Sequence, residues 1–192
     1  MRAGLADPVL DSQRIFRAVL EAMSHPGRVV SIGLEGAWLP PLHPATLAIC
    51  LALVDFETPL WLDTAGRTEE VSAHLRFHCG CPLVDPPERA RFAVVAAPAA
   101  MPELDRFDPG TDEYPDRSAT VIVQARALVA GAGRRLTGPG IAVDARLDAD
   151  GLPERFWEGL RANHDRFPRG VDVLLTAGTR VAALPRTTCV EG

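Results

Sequence analysis

The sequence predicts an α/β protein: a single domain in which a mixed β-sheet is flanked by helices. Helical-period segments are interspersed with short strand-like runs along the whole chain. Several of those runs, "PLWLD" (59–63), "RFAVVAA" (91–97) and "VDVLLTAG" (171–178), are apolar nearly throughout, as strands covered on both faces are. The chain has 192 residues, 47% hydrophobic and 23% charged, enough for one sizeable core. No repeat, low-complexity tract or linker divides it, so one domain is expected over residues 1–192 with its core at about 8–191.

The elements follow from local chemistry. Asp7 suits an N-cap and Pro8 the first helical position, so the first helix starts there. Ile15, Val19 and Met23, with Phe16 and Leu20 beside them, supply its apolar face. "SHPG" (24–27) stops it, since Pro26 cannot continue a helix, and "RVVSIG" (28–33) reads as the first strand. Pro44 opens a second helix, apolar on most sides, and "PLWLD" is a short buried strand. Thr68 with Glu69 and Glu70 starts a third helix, which runs to about His78 and stops at Gly80. Strands are predicted at 91–97, 119–128 and 134–141, with a loop-rich stretch at 98–115 and a helix at 153–164. "VDVLLTAG" and "RVAALPRT" close the chain as a hairpin through "AGTR".

Composition excludes several function classes. A net charge of -5 with no basic run argues against nucleic acid, whose phosphates need a basic face. The longest apolar stretch, "ATLAICLALV" (45–54), is too short to span a bilayer, and residues 1–11 do not read as a signal peptide. A cytoplasmic location without membrane or nucleic-acid partners is expected. All 20 basic residues are arginine, so Schiff-base chemistry on a lysine, including covalent pyridoxal phosphate, and a P-loop are excluded; no cofactor is expected. Cys50, Cys79, Cys81 and Cys189 form no disulfide framework and are expected to be reduced thiols.

Four clusters could carry chemistry. In "HLRFHCGC" (74–81), His74 and His78 share a helix face, and Cys79 and Cys81 follow. These four types can bind zinc and could serve a stand-alone metal-dependent hydrolase, but C-x-C is tighter than the usual C-x2-C. Arg76 beside His78 suits a phosphate or phosphonate, which would make a small-anion binding module. "LTGPGI" (136–141) offers Thr137 and the backbone amides around Gly138 and Gly140, in a stretch that also reads as a plain tight turn. Near the C-terminus Asp172 and "PRTT" (185–188) follow "FPRG", where Arg169 and Arg186 could hold an anion or a partner's carboxylate. Ser24, His25 and Asp55 could be imagined as a triad, but no nucleophile elbow accompanies them.

Five segments together carry a resemblance: "FRAVLEAMSHPG" (16–27), "LRFHCGCPLV" (75–84), "RLTGPGI" (135–141), "FPRGVDVLLT" (167–176) and "ALPRTT" (183–188). In their order and spacing the chain resembles the H subunit of the bacterial carbon–phosphorus lyase complex, over about residues 8–191. The resemblance implies a fold like that of pyridoxal-phosphate-dependent transferases without the cofactor, a homodimer in isolation, and assembly with subunits G, I and J. It implies a part, with G, I and L, in forming ribose 1-phosphonate 5-triphosphate from ATP and an alkylphosphonate. The chain would thus belong to a transferase complex, with ATP or phosphonate met at complex level, and no catalytic residue carries over to it. The matched positions mark a candidate ligand site: Arg17, Gly27, Arg76, Phe77, His78, Thr137, Gly138, Gly140, Asp172, Pro185, Arg186 and Thr187. There Arg76 and Arg186 would engage anionic groups. Cys79 and Cys81 lie outside the matched pattern.

Overall fold

The computed structural model describes residues 4–32 and 39–191. Helix α1 spans Pro8–Ser24, and the Asp7 carboxylate accepts the Val9 and Leu10 N–H groups at 3.1 and 3.0 Å. Its buried face is Asp11, Ile15, Ala18, Val19 and Ala22. Phe16 and Leu20, expected beside that face, are instead each 52% exposed. The small side chains of Ala18 and Ala22 let the helix sit close to its neighbours and rotate the larger residues outward.

Strand β1 (Val30–Ser31) is shorter than predicted, and Gly33 of that prediction lies outside the described residues. Helix α2 (Pro44–Leu53) buries Ala45 through Cys50, as its all-round apolar sequence requires. Strand β2 (Leu60–Leu62) leads to α3 (Glu69–Cys79), where Thr68 Oγ1 accepts the Val71 N–H at 3.1 Å and Gly80 ends the helix in the left-handed region at φ 68°. Then come β3 (Phe92–Val95), β4 (Thr120–Gln124), β5 (Ala127–Thr137), β6 (Ala145–Asp150), α4 (Glu154–His164), β7 (Asp172–Ala177), β8 (Arg180–Leu184) and β9 (Cys189–Glu191). Three short 3-10 turns interrupt the loop between β3 and β4.

The main sheet has six strands in the order β1-β8-β7-β4-β3-β2. β2, β3, β4 and β7 are parallel to one another, while β8 runs antiparallel to both β7 and β1. It is therefore mixed, as predicted. Burial alternates across it: Ile122 and Leu174 pack against α1, α2 and α3, whereas Val121, Val123, Val173 and Leu175 face the other side.

That other side is covered by α4 and by a second sheet, β6-β5-β9, wholly antiparallel. The sequence predicted only one strand of this sheet, and began it at residue 134. In fact the strand predicted at 119–128 breaks at Ala125–Arg126, and β5 starts at Ala127. Within β5 only Leu128 and Leu136 are fully buried, so its apolar period is faint. A register shift between Ala130 and Arg134 interrupts it further, with Gly133 at φ 76° where a Cβ would lie 2.6 Å from the Leu147 carbonyl. Among the described residues no helix is long and apolar enough to cross a membrane.

Candidate functional site

Four of the five resemblance-bearing segments meet at the amino ends of β4 and β7. Thr120 and Asp172 are direct register partners, so the two strands begin side by side. The end of α4 is fixed to this point because buried Asn163 accepts the Val171 N–H at 2.8 Å and donates to the Val171 carbonyl at 3.0 Å. Across the β7–β8 hairpin Val173 opposes Leu184, which brings the chain after β8 back beside Asp172.

There Arg186 closes on Asp172. Its backbone N–H and Nε donate to Asp172 Oδ1 at 2.9 and 3.2 Å, and Nη2 donates to Oδ2 at 2.6 Å. Nη2 also donates to Ser118 Oγ at 2.6 Å, and Nη1 to the Pro115 carbonyl. The guanidinium is only 12% exposed and the carboxylate 19%. In this bidentate, further-bonded pair the Asp172 carboxylate already balances the guanidinium, and the pair ties β7, the tail after β8 and the entry to β4 into one unit.

The glycine turns interlock on the same spot. Gly140 (φ 84°) lies so close to the end of α1 that a Cβ would stand 2.3 Å from the Ser24 carbonyl oxygen. Gly138 (φ 130°) would place one 2.7 Å from the Thr187 carbonyl, and Gly27 (φ 86°) one 2.9 Å from a Leu136 methyl. "SHPG", "TGPG" and "PRTT" are thus matched to one another by close backbone approach. Outside the joint is an open cleft of about 480 Å3, walled mainly by Met23, Pro115, Pro139, Phe167, Pro168 and Pro185.

Of the predicted site residues, Gly140, Asp172, Arg186 and Thr187, with Pro185, line this cleft, and Gly138 packs behind it. Thr137 is half-buried in β5 opposite Cys189, and Arg17 points from the exposed side of α1. Arg76 and His78 belong to the end of α3 and do not line the cleft. His78 stacks beside His74, ring centroids 4.3 Å apart, with Phe77 edge-on to it at 5.0 Å. Sequence reasoning missed Ser118 and the Pro115 carbonyl, which join Arg186 only because β4 and β7 pair in register.

The "HCGC" stretch folds inward. The Cys79 thiol donates to the Cys50 carbonyl at 3.6 Å and the Cys81 thiol faces the Leu75 carbonyl at 3.9 Å. Burial pushes the Cys50 thiol up to about 12. The contact between the Cys79 and Cys81 thiols, followed by burial, pushes Cys79 far upward, while the same contact lowers Cys81. Among the described residues no three histidine, cysteine or acidic side chains are gathered to hold a metal ion. The metal-dependent hydrolase built on His74, His78, Cys79 and Cys81 is therefore set aside: these thiols cap and fill the α2–α3 core.

The fold and the site together define a three-layer α/β scaffold whose matched motifs lock turns around a part-buried ion pair. The profile of the family described as bacterial phosphonate metabolism protein (PhnH) matches residues 3–191, and the chain belongs to that family. It is 39% identical over 186 residues, 97% of this chain and 93% of the relative, to alpha-D-ribose 1-methylphosphonate 5-triphosphate synthase subunit PhnH of Rhizobium meliloti (strain 1021). It is 33% identical over 181 residues, 93% of this chain and 85% of the relative, to the putative C-P lyase subunit protein HtxG of Stutzerimonas stutzeri.

Proposed function

We propose that this chain is a subunit of a carbon–phosphorus lyase assembly, serving the step that makes ribose 1-phosphonate 5-triphosphate from ATP and an alkylphosphonate. The observation that carries the reading is the 39% identity over 97% of the chain to a subunit of the synthase named for that product. The chain assembles with G, I and J subunits in the cytoplasm, acts in the synthase step alongside G, I and L, and forms a homodimer when alone. Its mixed sheet, with β2, β3, β4 and β7 parallel, between two covering layers suits a likeness to pyridoxal-phosphate-dependent transferases, and the absence of lysine suits a descendant without the cofactor. Its contribution is structural and recognitive. The proline-walled cleft and the exposed Val9, Phe16 and Leu20 on α1 are apolar surfaces of the kind that subunit contacts cover.

Deletion of the gene from its own genome tests this. The deletion strain is expected to lose growth on methylphosphonate as sole phosphorus source, to keep growth on inorganic phosphate, and to recover when the gene is restored. Undiminished growth of the deletion strain on methylphosphonate would remove the reading.

A further inference from the structure

In open α/β sheets ligands bind in the crevice beyond the carboxyl ends of the parallel strands. The cleft at Asp172 and Arg186 lies at the opposite, amino ends. At the carboxyl ends of β3 and β4 there is a second hollow, of about 420 Å3, bounded by His43, Ala97, Pro98, Gln124, Arg126 and Gly151.

Buried and part-buried side chains hold its walls by hydrogen bonds. Gln124, the last residue of β4 and 5% exposed, accepts the His43 N–H at 2.5 Å and donates to the Pro41 carbonyl at 3.1 Å. Asp63, 7% exposed, accepts the Gly66 N–H at 2.7 Å and the Ala97 N–H at 2.8 Å, fixing the chain after β3. His43 Nδ1 lies 3.3 Å from the Thr176 carbonyl. A carbonyl only accepts, so Nδ1 carries the hydrogen and Nε2 presents a lone pair. Burial, partly opposed by the Thr176 contact, holds this imidazole below its ordinary value, which favours its neutral form. At the rim Arg126 lies across Gly151, where a Cβ would come within 3.1 Å of Nε, and its Nη2 donates to Asp150 Oδ1 at 2.7 Å.

The hollow therefore offers one neutral acceptor, one guanidinium half-balanced by Asp150, and an apolar wall of Ala97, Pro98 and Ala125. A triphosphate brings more negative charge than this rim can balance. A monoanion that keeps one acidic hydrogen and bears a small alkyl group matches all three features. We propose that this hollow binds an alkylphosphonate monoanion, its P–OH donating to His43 Nε2, its anionic oxygens on Arg126 and its alkyl group against Ala97 and Pro98. The class of ligand rests on the phosphonate reading above; the site itself rests on the geometry.

Calorimetric titration of the full-length chain at pH 7 tests it, with methylphosphonate, inorganic phosphate and sulfate as probes. Methylphosphonate is expected to bind, phosphate to bind more weakly for want of the methyl contact, and sulfate, which has no acidic hydrogen, about tenfold or more weaker still. His43→Ala and Arg126→Gln should each weaken methylphosphonate binding about tenfold or more, and Arg14→Gln, at an exposed arginine of α1 paired with Asp11, should leave it unchanged. Arg126 is at the exposed rim, so its variant folds even if the His43 variant does not. Absence of methylphosphonate binding by the wild-type chain, equal affinity for phosphate or sulfate, or an unaffected Arg126→Gln variant would overturn the proposal. Because growth and assembly do not read this affinity, a chain that assembles but binds no phosphonate refutes the site and leaves the subunit reading standing.

Discussion

An Asp172→Ala variant is expected to unfold about 3 kcal/mol more easily than the wild-type chain, seen as a lower urea midpoint with an unchanged slope. The removed carboxylate is the counter-charge of a guanidinium that is only 12% exposed. Without it, Arg186 keeps the Pro115 carbonyl and Ser118 but loses three hydrogen bonds, at distances of 2.6 to 3.2 Å, to Asp172. A cation left buried and under-paired is what makes such a loss large. The exposed pair Arg126–Asp150, with side chains 76% and 51% exposed, gives the contrast: Asp150→Ala should cost well under about 1 kcal/mol. If the two variants lost the same small amount, Asp172 and Arg186 would not be the joint described.

Gly140→Ala is expected to destabilise by a comparable amount, about 3 kcal/mol. A left-handed backbone conformation alone costs an alanine about 1–2 kcal/mol. Here the new methyl would also stand 2.3 Å from the Ser24 carbonyl oxygen, a backbone atom that cannot swing aside. Forcing the two segments apart adds about 1–3 kcal/mol. Gly80 separates the two contributions, because its φ is 68° but its nearest neighbour, in Phe56, would be 3.6 Å away. Gly80→Ala should therefore lose only about 1 kcal/mol, measured in the same urea titration. Equal losses at the two positions would contradict the interlock of "SHPG" with "TGPG".

These expectations also mark what could be read before the structure. Helix ends were legible because their chemistry is local: Asp7 with Pro8, and Thr68 with Gly80, act within a few residues of themselves. The parallel core strands were legible because burial on both faces leaves continuous apolar runs. The second sheet was not. β6, "ARLDAD", buries only Leu147 and Ala149 and carries two aspartates, and β9 is three residues long; pairing with β5, not intrinsic preference, makes both into strands. Phe16 and Leu20 were counted beside the apolar face of α1 on helical spacing, whereas Ala18 and Ala22 make the close contact and those two stay half-exposed.

In the site, each glycine turn was visible as a turn, but its neighbour was not. Residues 24–27, 138–140 and 185–187 are distant in the sequence and are brought together by the two sheets. Asp172 and Arg186 were singled out in one cluster, with Arg186 read as a group that could hold an anion or a partner's carboxylate, and the nearest carboxylate is that of Asp172. The hairpin held that information: with "AGTR" as the turn and Val173 opposite Leu184, Asp172 has to fall beside the chain that carries Arg186. His43, Gln124 and Arg126 had no motif to announce them, since a hollow at strand ends is assembled from the strand order.

Native mass spectrometry of the affinity-tagged chain, purified from its own cells growing on methylphosphonate as sole phosphorus source, would weigh the subunit reading with the least inference. The expected result is a particle that contains this chain together with G-, I- and J-type partners. A chain recovered only by itself or as a bare dimer under those conditions would contradict it.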